Sequence, residues 1–172
     1  MGNSKNYLEN KKRKLEIIDA HLGAARSYAK LSRSRRLQVG AVIVKDDRIV
    51  SVGYNGMPSG GSNICETLSK PGDNKSMKGL SGEDINSYLQ NGYELVTKPE
   101  VIHAEENAIL FAAKNGIATE GCSMVMTHSP CMSCAKMIIQ SGIKNLYYYE
   151  EYRNTSPLGF LKSHGVKVNS IS

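Results

Sequence analysis

At 172 residues, with 40% hydrophobic and 22% charged side chains, the chain can bury a core of its own, which excludes disorder along its whole length. No apolar run reaches the ~18 residues of a membrane-spanning helix, the first ten residues are polar without a signal-peptide core, and four cysteines are too few for a disulfide scaffold; a cytoplasmic protein with reduced thiols and no membrane partner is expected. The formal charge of +6 is uneven, because residues 1–36 hold ten Lys or Arg against three acids, so a field that attracts phosphate belongs to the first fifth of the chain.

Leu15, Ile18, Leu22, Ala25 and Ala29 recur at three- and four-residue steps with charges between them. This spacing predicts an amphipathic helix over residues 11–31, lying across a sheet. Lys11, Lys12, Arg13 and Lys14 read as its solvated face, whereas Arg33, Arg35 and Arg36 fall in a turn just ahead of a strand. Residues 39–45 and 48–53 are β-branched runs on either side of Asp46-Asp47, the pattern of a hairpin, and a glycine-rich loop follows from Gly53 to Gly61. Residues 62–100 have weak periodicity and scattered Gly, Ser, Asn and Lys, which suggests a surface insertion in a single domain spanning 1–172, with a short helix near 83–90. Helix and strand then alternate: helix 104–115, strand 123–127, helix 131–141, strand 145–150, helix 157–163 and strand 166–169. That alternation implies an α/β layered fold.

Two strings carry chemistry, His103-Ala104-Glu105 and Pro130-Cys131-Met132-Ser133-Cys134, each opening a predicted helix. Together they form the HxE…PCxxC pattern of zinc deaminases. Cysteines three apart share one helix face, and a helix amino terminus favours thiolate, so both sulfurs can reach one ion. A histidine at another helix mouth makes three protein ligands and leaves the fourth tetrahedral position open, the mark of a catalytic zinc. Two thiolates and a neutral imidazole cancel the charge of the ion, so a local base is needed, and Glu105 stands two residues from a ligand. Residues i and i+2 of a regular helix point about 200° apart, so this role requires an irregular first turn. Cys122 reads as a small buried hydrophobe, Cys65 has no histidine nearby, His128 is pocket wall or plain structure, and His21 and His164 look structural.

With Gln38-Val39-Gly40-Ala41-Val42-Ile43-Val44, Gly53-Tyr54-Asn55-Gly56-Met57-Pro58-Ser59-Gly60, His103-Ala104-Glu105-Glu106-Asn107-Ala108-Ile109-Leu110 and Ser129-Pro130-Cys131-Met132-Ser133-Cys134-Ala135-Lys136, the chain resembles the deoxycytidylate deaminases of the cytidine deaminase superfamily, above all the bacteriophage type, over roughly residues 14–168. The resemblance implies a three-layer α/β/α fold with a five-stranded mixed sheet, zinc on His103, Cys131 and Cys134, and Glu105 as proton shuttle. It implies dCMP as substrate, with Asn55 on the deoxyribose; Ser32, Arg36, Ala104, Ser129 and Tyr152 are the other candidate substrate contacts, an arginine of the 33–36 turn being expected on the phosphate because the turn leads into the strand before Asn55. It further implies dCTP as activator and dTTP as inhibitor, with Mg2+, near Gly56, Pro58, Gly60, Arg33 and Arg35, in a homohexamer. Some phage relatives hold a second, structural zinc on histidines of the insertion; residues 62–102 contain no histidine here, so one zinc per chain is expected. Where the family usually reads Ser-Lys-Asp-Pro before the first strand, this chain has Ser32-Arg33-Ser34-Arg35-Arg36. Deamination of dCTP in place of dCMP stays open, and two further alternatives stand beside this reading. One is the same chemistry on cytosine or adenine in RNA or single-stranded DNA, disfavoured by the absence of Trp and the presence of only two Phe. The other is a non-catalytic zinc module, which would have no use for Glu105.

Overall fold

The computed structural model describes residues 2–172, with side chains described from residue 6 onward; the first five side chains of the polar amino-terminal stretch lie outside the described residues. Helix α1 (Gly2–Ala29) is longer than the apolar seam predicts. Residues 6–16 are exposed and Ile18 is the first fully buried position, so the helix runs on beyond the sheet where no apolar face reports it. Lys11, Lys12, Arg13 and Lys14 are all exposed, as a solvated face requires.

The main sheet contains β1 (Gly40–Lys45), β2 (Arg48–Tyr54), β6 (Ser123–His128), β7 (Asn145–Glu150) and β8 (Lys167–Ser170), in the spatial order β2-β1-β6-β7-β8. Strand β1 is antiparallel to both its neighbours, and β6, β7 and β8 run parallel. Helices α3 (Ala104–Lys114), α4 (Met132–Gln140) and α5 (Ser156–Ser163) supply the remaining cover. Alternation along the strands divides the core in two. Ala41, Ile43, Met124, Met126, Leu146 and Tyr148 pack with Ala104, Ala108, Ala135, Ile138 and Leu161 from α3, α4 and α5. Val42, Val44, Val125 and Tyr147 point the other way, onto Ile18, Leu22 and Ala25 of α1. A period of two with both faces apolar is what a central strand buried on both sides demands. The result is the expected three-layer α/β/α arrangement around a five-stranded mixed sheet.

Two glycines set how closely the layers approach. A Cβ at Gly40 would collide with the backbone of Ala25 and Ala29 in α1, and a Cβ at Gly53 would collide with the backbone of Ala104 and Ala108 in α3. The α3 contact is further fixed by Ser51 Oγ donating to Ala108 O at 2.6 Å and Asn107 Nδ2 donating to Tyr54 O at 3.0 Å. Gly53→Ala is therefore expected to push α3 off the sheet and destabilise the protein by about 1–3 kcal/mol. For a chain of this length that corresponds to a fall in Tm of roughly 2–12 °C; an unchanged melting temperature would refute the close-packing role.

The β1–β2 hairpin turns on Asp46 and Asp47, both with positive φ (48° and 58°), as a two-residue turn matching strand twist requires. The segment 62–100 is more ordered than its sequence suggests. Besides α2 (Gly82–Gln90), it forms a second sheet from β3 (Glu66–Lys70), β4 (Asp73–Ser76) and β5 (Glu94–Thr97), in the order β4-β3-β5. Leu68, Met77, Ile85 and Tyr93 form a small core beneath it. Its neck is closed where Gly56 and Ile102 exchange backbone hydrogen bonds of 3.1 and 2.9 Å. No described helix is long and apolar enough to cross a membrane.

Candidate active site

His103 is the N-cap of α3 and Cys131 the N-cap of α4, both with extended backbone (φ −73°, ψ 160° and φ −77°, ψ 172°). Pro130 and the carboxyl end of β6 deliver Cys131 to this mouth, and one turn of α4 brings Cys134 to the same face. His103 Nδ1 lies 3.5 Å from Cys131 Sγ and 3.4 Å from Cys134 Sγ, and the three ligand atoms all lie within 4.8 Å of one another. Tetrahedral zinc at ~2.3 Å from sulfur and ~2.0 Å from nitrogen holds such pairs roughly 3.5 Å apart, so this donor set fits zinc.

The extended backbone at His103 also removes the difficulty with Glu105. Because His103 is a cap rather than a helical residue, the 100° step per residue does not separate the two side chains, and Glu105 turns inward at the second position of α3. Glu105 is 4% exposed, and burial pushes its pKa up to about 7. A carboxyl poised there can both take and release a proton at neutral pH. Cys131 is held down to about 3, first by the hydrogen bond from the Cys134 thiol and then by His103, against the opposing effect of burial. Cys134 is pushed up by its bond to Cys131 and by burial, and His103 is raised chiefly by its bond to Cys131. A divalent cation is what allows both sulfurs to be thiolate together.

The cluster opens into a cavity of about 250 Å³ whose walls include Asn55, Ala104, Glu105, Ser129, Tyr152 and Arg36. Asn55 is 8% exposed; its Oδ1 accepts from Val39 N and its Nδ2 donates to Leu37 O, each at 2.8 Å. One N–H and one lone pair of the amide are left over for another partner. Ser129 Oγ accepts from Tyr152 N at 2.8 Å, which draws the segment after β7 over the pocket. Ser32 does not line this cavity: it lies buried behind the turn, accepting from Ser34 N at 3.2 Å, and Ser34 takes the place in the wall.

The family described as the cytidine and deoxycytidylate deaminase zinc-binding region matches residues 15–150. The chain belongs to this family. The deoxycytidylate deaminase of Enterobacteria phage T4 is 40% identical over 153 residues, covering 78% of this chain and 79% of the relative. The human deoxycytidylate deaminase is 37% identical over 138 residues, covering 80% of this chain and 66% of the relative. Among solved structures, the dCMP deaminase of cyanophage S-TIM5, in complex with dCMP and dUMP, matches with a TM-score of 0.72 and 34% identity over 91% of this chain and 97% of that one. The resemblance drawn from the motifs therefore holds for the family and its fold, and the His/Cys/Cys group that a zinc-binding member needs is present.

In this family member a second cavity adjoins the first. Arg33, Gly56, Pro58 and Gly60 line it with Asn107, and Asn55 lies in the walls of both. Arg35 lines neither, its backbone N–H being taken by Glu66. Residues the sequence did not single out also stand in the first cavity: Ser34, Leu37, Val39, Thr97 and Val101. Thr97 comes from the weakly patterned segment and carries no signal of its own. His128 is there too, its Nε2 3.1 Å from Glu150 Oε2, which places it as pocket wall. Cys65 and Cys122 are buried, each 1% exposed.

Proposed function

We propose that the protein hydrolyses dCMP to dUMP and ammonia, acting as one domain in which the segment 62–100 contributes to the pocket. The observation that carries this reading is a His/Cys/Cys donor set beside a buried glutamate at one end of a cavity that has an arginine, Arg36, in its wall. Zinc, when held by His103, Cys131 and Cys134, supplies the Lewis acidity that makes water a nucleophile near neutral pH. Glu105 accepts a proton of that water and donates it to the ring nitrogen beside carbon 4; it then takes the second proton, from the hydroxyl now on carbon 4, and passes it to the amine as the carbon–nitrogen bond breaks. The spare N–H and lone pair of Asn55 serve the sugar hydroxyl, Ala104 and Tyr152 wall the base, and Ser129 holds Tyr152 in place. Arg36 takes the 5′-phosphate, for which a guanidinium is suited by its paired donors.

The finer reading concerns control. Arg33 has the charge, and the exposed Ser59 and Gly60 the backbone amides, for a triphosphate, and we assign that cavity to dCTP as activator and dTTP as inhibitor, with Mg2+, in a homohexamer. Asn55, common to both cavities, gives a short physical route between them. Two thiolate ligands suit a reducing cytoplasm.

Ammonia release measured with dCMP, dCTP, CMP, deoxycytidine and a cytosine-bearing oligonucleotide tests the substrate. The expected result is kcat/KM highest for dCMP, with rates sigmoidal in substrate, hyperbolic with dCTP and depressed by dTTP. Preference for the oligonucleotide overturns the substrate assignment, and hyperbolic rates unmoved by either triphosphate overturn the regulatory one.

A further inference from the structure

We propose that Glu66, in the second sheet, is a positioning residue that holds the 34–36 turn so that Arg36 presents an uncompensated positive charge to the phosphate end of the cavity. The inference rests on the dCMP reading and deepens it. Glu66 is 1% exposed, a place where a carboxylate persists only if donors surround it. Its Oε1 accepts from the Ser34 hydroxyl, from Arg35 N at 2.9 Å and from Arg36 N at 3.2 Å. Successive backbone N–H groups converging on one anionic oxygen form a nest, which ties the turn down through its main chain.

The partners of that carboxylate explain why the arrangement matters. Glu66 takes the backbone N–H of Arg36 and leaves the guanidinium alone; the guanidinium is instead held by a neutral group, Nη1 donating to Thr97 Oγ1 at 3.1 Å. Among the described residues Arg36 enters no ion pair. Glu66 and Thr97 are direct partners in the β3–β5 register, so one cross-strand pair grips both ends of the same arginine. Ser34, Arg36 and Thr97 line the cavity and Glu66 does not. The second sheet is thus part of the phosphate subsite, and its acid acts through the turn rather than on substrate.

The test uses zinc-loaded full-length protein, with calorimetric binding of dUMP and of deoxyuridine beside steady-state kinetics on dCMP and deoxycytidine. Glu66→Ala is expected to weaken dUMP binding and raise the KM for dCMP about tenfold or more, the scale of one hydrogen bond to a charged group, with kcat and deoxyuridine binding little changed. Glu66→Gln keeps the accepting oxygen and should recover most of the loss. Thr97→Val should weaken dUMP binding in the same direction, and in an Arg36→Gln background neither change should add to the loss. Equal losses for dUMP and deoxyuridine, or losses that add to that of Arg36→Gln, overturn the positioning role. If Glu66→Ala does not fold, Thr97→Val decides: unchanged dUMP affinity overturns the proposal. A wild type that binds dUMP more tightly than deoxyuridine yet leaves dCMP intact refutes the deaminase reading alone, and the binding arm still judges Glu66.

Discussion

Replacing Glu105 with Gln is expected to lower kcat by about 10²–10⁴-fold while the protein keeps one zinc per chain. The amide matches the carboxyl in shape and sits in the same buried site, but it cannot accept the proton of the attacking water. Because His103, Cys131 and Cys134 are untouched, the metal content should not change. Turnover of dCMP measured alongside metal analysis separates the two effects. Residual activity near the wild-type level would remove Glu105 from the proton path. Two zinc ions per chain would contradict the single His/Cys/Cys group found among the described residues.

Cys134→Ala should have the other large effect, on metal and stability together. Cys134 is 1% exposed and faces both other ligands, so its loss leaves a two-donor site that zinc leaves readily. Activity on dCMP should fall to background and zinc content below a tenth of one per chain. In the wild type a chelator should lower Tm, since an ion that binds only the folded chain stabilises it. In Cys134→Ala the chelator should leave Tm unmoved. Cys122→Ala, equally buried but outside the cluster, is the control that should retain zinc. A Cys134→Ala protein with full zinc occupancy would show that the ligands lie elsewhere.

The elements legible in the sequence were those with a dense apolar pattern, either a run buried on both faces, as in β1 and β6, or a helical seam behind a cap. Strands β1 and β6 through β8, and helices α3 to α5, came from alternation and from caps such as Pro130, and their bounds in the structure differ from the predicted ones by a residue or two. The start of α1 was hidden because residues 6–16 are exposed all round and leave no apolar stripe. Strands β3, β4 and β5 were hidden because they are four or five residues long, and every side chain from Asn74 to Ser76 is exposed. In the site, His103, Glu105, Cys131 and Cys134 were legible because metal chemistry imposes both residue type and spacing. Ser34, Thr97 and Glu66 were not, because their roles depend on a register between segments about 30 residues apart or more, and no local pattern encodes that.

The neck at Gly56 and Ile102 bears on how chains of this kind change length over evolution. Two reciprocal hydrogen bonds close the excursion at its base, so insertions or deletions within it alter the closure entropy only logarithmically and do not strain the strands that carry the metal ligands. The excursion can therefore grow, shrink or exchange its fold while the deaminase framework stays intact. Its freedom ends at the Glu66–Thr97 pair: under the positioning role proposed for Glu66, a descendant that loses this rung keeps its metal ligands and loses its grip on the 34–36 turn.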